Sequence, residues 1–216
     1  MTTQAQTIAA VARRLGRRTN LDADILLEMD IVQQTVLERN GRIVPWFLPF
    51  TINSALPTVA DTETITLPAD FIGVPEQGGF FLNNSDGDWI KIVKGDYGHN
   101  LTKHQDETGF PEAYSIDSLY LRLRPIPDAV YSGRLAYKAK DALPSATASG
   151  SSNLWMTHFP DLLIYQTAQW CARDILQDFE LATTFEGSLK AAWDRLLVET
   201  ERREHEDREY NMGDAP

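Results

Sequence analysis

Helix-period apolar patterns occupy both ends of this 216-residue chain and stop at Val44-Pro45-Trp46, resuming only after Ser152. That interruption constrains the fold more than any other feature, because helix and strand periods cannot share one register. Near the start, Ile8, Val11, Ala12 and Leu15 recur at helical spacing, and Gly16 closes the pattern. A second helix is expected from Asp22 to Asn40. Its face is Ile25, Leu26, Met29, Val32, Val36 and Leu37, and Asn40-Gly41 offers a left-handed cap.

Between 45 and 152 the chain is rich in Pro, Gly, Thr and aromatics. Short β-forming runs are expected at Thr62–Leu67, Gly79–Leu82, Trp89–Val93, Ala113–Ile116, Ser118–Arg124 and Tyr131–Ala139. Asn83-Asn84-Ser85-Asp86-Gly87-Asp88 reads as a hairpin connection. Leu119, Leu121 and Leu123 alternate with Tyr120 and Arg122, as in a strand with one buried face. Residues 144–153, PSATASGSSN, read as a small polar linker.

Helical signals then return. Pro160 suits a first turn, with Asp161 beside it favouring the dipole, and the helix is expected to reach about Asp178. Thr183 and Glu186 have capping-box spacing for a last helix striped by Phe185, Leu189, Ala192, Trp193, Leu196 and Leu197. After Val198 the stripe stops, and ETERREHEDREYN reads as a solvated extension or a tail that orders on a partner. The fold class is therefore α+β. Residues 1–44 and 153–216 form one helical bundle, and 45–152 form an inserted antiparallel β domain with its linker. Two sequential domains fit less well, since a lone helix pair buries its stripes poorly.

Charge narrows the function. The net charge is −11, and its segments are uneven: +1 over 1–44, −5 over 45–152 and −7 over 153–216. So acidic a chain does not wrap nucleic acid through a broad basic face. One cysteine, Cys171, forms no internal disulfide or thiolate cluster, and its apolar helical setting reads as a packed thiol. No run is long enough for a membrane span, and MTTQAQTIAAVARRLGRR lacks the apolar core of a secretion signal. A soluble, reduced chain made in the cytoplasm is expected.

Catalytic signals are absent. His99 and His104 stand among Asp96, Asp106 and Glu107, but their spacing fits no standard metal site, and a polar loop is expected. Ser85 to Asp88 lacks the spaced ligands of a calcium loop. There is no phosphate-binding glycine loop, no G-x-S-x-G and no H-E-x-x-H. No enzyme, metal or cofactor is expected. Two charged features remain: Arg13, Arg14, Arg17 and Arg18, several of which share one side of the first helix and face DNA phosphate or an acidic surface, and Glu199–Glu209, with six acids and three arginines. Tyr210-Asn211-Met212-Gly213 adds anchors that favour a docking tail.

The order of landmarks resembles the head–tail adaptor, or neck, proteins of tailed bacteriophages. These landmarks are a helix pair ending before Trp46-Phe47-Leu48, then Leu67-Pro68-Ala69-Asp70-Phe71, and the run from Tyr114-Ser115-Ile116-Asp117 to Leu121-Arg122-Leu123. Arg124-Pro125-Ile126-Pro127-Asp128, Tyr137, Asn153-Leu154 and the run Phe159 to Tyr165 complete the order. The resemblance implies a structural virion protein of the neck, assembled in the host cytoplasm. It implies a ring, usually of twelve copies, beneath the portal, extending the DNA channel and meeting a tail or nozzle protein, with passing contact to DNA and none to membrane. It makes Glu199–Pro216 the portal-docking segment, with Glu201, Arg202, Glu204, Glu206, Tyr210, Asn211 and Met212 as its contact residues. The competing class is a carbohydrate- or receptor-binding module of a tail protein, with Trp46, Trp89, Tyr97, Tyr120 and Tyr131 stacking on sugar.

Overall fold

The computed structural model describes residues 2–38, 44–84, 86–96, 98–99, 102 and 107–212, without the side chains of Thr19 and of 204–212. The chain divides into two compact units, one of Met1–Leu48 with Lys140–Pro216 and one of Pro49–Ala139.

In the first unit α1 spans Gln4–Arg14 and starts in a capping box: Gln6 N–H donates to the Thr3 hydroxyl and Thr3 N–H to the Gln6 side chain. Gly16, at φ +83, turns the chain where a side chain would be strained, and Arg17 N–H returns to the Ala12 carbonyl. α2 spans Asp22–Val32 and continues as a π-helical turn over Gln33–Leu37. The expected stop signal Asn40-Gly41 lies outside the described residues.

Among the described residues of this unit four further α-helices follow: α3 (Leu154–His158), α4 (Pro160–Trp170, extended by a π-helical turn over Cys171–Ile175), α5 (Phe179–Thr184) and α6 (Glu186–Met212). α1, α2 and α6 all pack on α4, whose Leu162, Leu163 and Ala168 are fully buried. The expected capping box at Thr183 does not form. Thr183 lies inside α5, where its hydroxyl donates back to the Glu180 carbonyl, and Asp178 caps that helix instead.

The segment 144–153 is stitched to the helices. Gln4 and Ala5 N–H donate to the Ser151 and Ser149 carbonyls, and the Gln4 amide donates to the Pro144 and Thr147 carbonyls. Asn153 caps α3 by accepting from Met156 N–H. Hydrogen bonds from the backbone of α1 and from the Gln4 side chain, rather than apolar burial, tie this polar segment to the helices.

The described residues of the second unit form eleven strands: β1 (Phe50–Asn53), β2 (Thr64–Thr66), β3 (Phe71–Gly73), β4 (Gly79–Asn83), β5 (Trp89–Lys91), β6 (Val93–Lys94), β7 (Thr108–Gly109), β8 (Ala113–Asp117), β9 (Tyr120–Arg124), β10 (Ile126–Pro127) and β11 (Gly133–Ala139). One sheet has the order β1-β11-β4-β5, with β3 also on β11, and a second has β2-β9-β8-β6. Most pairs are antiparallel as expected, but β6 runs parallel to β8, and β7 parallel to β10. The chain crosses from the first sheet to the second at buried Ile92, and β8 lies along β6 in the same direction.

The core between the sheets includes Phe80, Leu82, Tyr114, Leu121, Leu123 and Leu135. The hairpin between β4 and β5 closes on the Asn84 side chain, which accepts from Asp86 and Asp88 N–H, with Gly87 at φ +90. Leu119 departs from its expected inward position. With Ser118 at φ 56 it forms the two-residue turn joining Asp117 to Tyr120, and it is 69% exposed.

Candidate docking surfaces

The terminal helix is built from its inner stripe outward. Phe185, Leu189, Ala192 and Leu196 are buried, and the stripe continues one turn further through Thr200, which is 1% exposed. Beyond it the Arg203 guanidinium lies 4.8 Å from the centroid of the Trp46 ring. Trp46 and Phe47 in turn contact His158, and Phe47 meets Trp155 edge-on and stacks on Phe159. Partial burial of the His158 ring lowers its pKa against the opposing pull of Glu199 and Asp141. Arg195 adds an ion pair to Asp161 at 3.2 Å, exposed on both sides and so worth little.

The α6 extension is thus fixed at its root by Thr200 and Arg203, past the point where the sequence stripe ends at Val198. Glu201 and Arg202 are exposed on it. The backbone remains helical through Tyr210, Asn211 and Met212. The side chains of Glu204, Glu206, Tyr210, Asn211 and Met212, and all of 213–216, lie outside the described residues.

The four arginines separate. Arg14 turns onto its own unit, with its guanidinium 4.5 Å from the Tyr165 ring centroid and bonded to the Ala10 carbonyl. Arg13, Arg17 and Arg18 are exposed. Arg13 and Arg17 border a groove of about 550 Å³ floored by Ala5, Ile8, Ala9 and Ala12.

A buried polar knot, invisible in the periodicity, ties α2 to α3. The Gln33 amide donates to Glu38 Oε1 at 2.9 Å and to the Ala142 carbonyl, and the Asn153 amide donates to Gln33 Oε1. Asp141 N–H also reaches Glu38 Oε1, while Asp141 Oδ2 accepts from Leu154 and Trp155 N–H at the start of α3. Burial pushes the pKa of both Glu38 and Asp141 up, and these donors offset only part of it. In the sequence Gln33 and Glu38 are ordinary polar residues of the run Gln33-Gln34-Thr35-Val36-Leu37-Glu38, and nothing local marks them as buried.

In the second unit the aromatics are largely engaged. The Arg134 guanidinium covers Trp89 at 3.4 Å from its centroid. The Tyr131 hydroxyl donates to Asp128 at 2.6 Å and its ring meets Phe110 edge-on. Tyr120 is exposed, and Tyr97 lies outside the described residues. His99 N–H donates to the Asp96 carboxylate, while His104 and Asp106 lie outside the described residues. Among the described residues no group of His, Cys, Asp and Glu is arranged to hold a metal ion. Cys171 is fully buried, and burial drives its thiol pKa up to about 12, far from a nucleophile's range. No helix among the described residues is long and apolar enough to cross a membrane.

The family model described as SU10 adaptor protein matches residues 2–214. The chain belongs to the SU10 adaptor protein family. No curated protein matches it. The SU10 adaptor family is one of structural bacteriophage proteins, which makes this chain a head–tail adaptor and a component of the virion.

Proposed function

We propose that this adaptor forms a ring beneath the portal, in twelve copies, extending the channel through which DNA leaves the capsid and presenting a surface to the tail or nozzle. The helices of both chain ends act as one bundle, and the β unit is inserted into it. The observation that carries this reading is the family match over residues 2–214. Supporting it is α6, a helix whose root is packed and whose continuation is mostly charged. A helix of that kind reaches away from its own core toward another molecule.

Glu201, Arg202, Glu204, Glu206, Tyr210, Asn211 and Met212 are the proposed portal contacts. Arg13, Arg17 and Arg18 meet passing DNA or an acidic protein surface, and Arg14 supports them from its place on Tyr165. The glycan-binding alternative needs free aromatic faces. Those of Trp46 and Trp89 are each covered by an arginine, which weighs against it.

The test is deletion of Asn211–Pro216, or replacement of Glu201, Glu204 and Glu206 by Lys. Either change should abolish portal binding while circular dichroism and the melting temperature stay at wild-type values. Portal binding that survives both changes overturns the assignment.

A further inference from the structure

Two surfaces of the helical unit are complementary and lie on different helices packed against α4. The first is the α1 groove, floored by the small side chains Ala5, Ala9 and Ala12 with Ile8, and edged by Arg13, Arg17 and Asp22. The second is the outward side of α6. At 100° per residue Trp193, Leu197 and Glu201 form one i, i+4 ridge that starts beside the buried Leu189 and Thr200 and winds outward, with Val198 about 100° further round than Leu197. Leu197 is 41% exposed on this ridge and Trp193 half-buried at its foot, and Val198, 62% exposed, borders it, so large apolar groups reach the surface of α6.

Charge matches as well as shape. Lys190, Asp194 and Glu201 stand on that side of α6, two acids and one base against the groove's two bases and one acid. None of these six forms an ion pair among the described residues. Ala5 to Arg13 and Trp193 to Glu201 each span about 12 Å of helix. Large residues on one helix facing small ones on another permit close packing.

We infer that the α6 ridge of one copy seats in the α1 groove of the next, so that the two helices form the contact between neighbouring copies of this chain. The inference rests on the ring reading and names its interface. Because the two surfaces differ, the contact is heterologous: each copy offers a groove to one neighbour and a ridge to the other, which is the geometry that closes a ring. Glu201 then stands where the ridge meets the portal-directed segment.

The test uses the full chain assembled with its portal and a short bis-maleimide cross-linker. Ala9→Cys and Leu197→Cys are introduced together, and Cys171 stays silent because it is buried with its thiol pKa near 12. The double variant should give a ladder of cross-linked multimers on a denaturing gel. Each single variant alone should give none, and an equimolar mixture of the two should give dimers. Rings visible by electron microscopy without a ladder overturn the interface and leave the ring reading standing. Dimers from either single variant also overturn it, since they require a self-complementary contact. If the wild-type chain binds portal as isolated single copies, the ring reading and the interface fall together. Should the cysteine variant fail to fold, R13E/R17E reads the same contact: ring yield at fixed concentration should drop about tenfold or more, and an unchanged yield overturns the proposal.

Discussion

The Arg203 guanidinium lies over the Trp46 ring, joining the charged half of the last helix to the segment that follows the first two helices. The two residues are far apart in sequence; Trp46 sits beside Phe47 and Leu48, which are buried, whereas the helix beyond Thr200 carries no buried apolar residue among its described side chains. Replacing Arg203 by Ala should cost about 1 kcal/mol of stability. It should also raise amide exchange in α6 beyond Thr200, with the exchange of α4 unchanged. Exchange measured by mass spectrometry checks this, and equal protection in the variant would mean that Thr200 alone sets the helix root.

Glu38 predicts a pH dependence of known sign. Burial raises its folded pKa above the unfolded value near 4.5, so the native state holds the proton more tightly. Stability contributed by this group is therefore lost as pH rises from about 4.5 through the folded pKa, and is constant above it. Glu38→Gln removes the titration. The variant's unfolding free energy, measured against wild type from pH 4 to 8, should gain on wild type across that window and hold a constant difference above it. Subtracting the two curves cancels Glu28, whose pKa is raised as well, and His158, whose pKa is lowered, neither of which is bonded to Glu38.

Glu63 carries a burden in the second unit. Arg124 is 5% exposed, and its side chain bonds only Glu63 among the described residues, at 2.8 Å, with Nε and Nη1 unpartnered. Glu63→Ala should cost about 3–5 kcal/mol by stranding a buried cation. Adding Arg124→Met to it should restore much of that loss, because two neutral groups replace a broken pair. Denaturant unfolding of the three variants reads the coupling, and additive losses would contradict it.

Gly133 begins β11 with the Leu56 carbonyl and the Phe80 ring against the position a Cβ would take. Gly133→Ala should therefore destabilise the chain by about 1–3 kcal/mol through overpacking. A thermal melt checks this, and an unchanged melting temperature would show that the Leu56 loop yields freely.

Elements whose signal is local were legible in the sequence. Tyr120–Arg124 alternates over an apolar core and forms β9, the Asn84–Asp88 run closes a hairpin, and the α1 stripe of Val11, Ala12 and Leu15 is buried. What escaped depends on partners distant in sequence. Strand β1 is four residues whose Phe50 and Ile52 stay exposed, so no burial pattern announces it, and only pairing with β11 makes it a strand. The segment 144–153 looks like a linker until Gln4, over a hundred residues earlier, bonds to it. Thr200 and Arg203 belong to the packed part of α6, yet neither residue type reads as core, since Thr is only weakly apolar and Arg buries its stem while its head stacks.

The candidate site divides in the same way. Arg13, Arg14, Arg17 and Arg18 read as a cluster of which several share one side of the first helix, but Arg14 lies on Tyr165 while the other three are exposed, the last two of them beyond the turn at Gly16. The acidic terminal segment was readable as polar and helical, because charge and periodicity are local properties. Its packed root was not, because Trp46 is contributed by the other end of the chain.

Sedimentation velocity of the purified chain, alone and mixed with its portal, tests the adaptor role most directly. The expected result is a single slow species alone and a fast, stoichiometric complex with portal that is lost on deleting Asn211–Pro216. A chain that sediments unchanged in the presence of portal would contradict it.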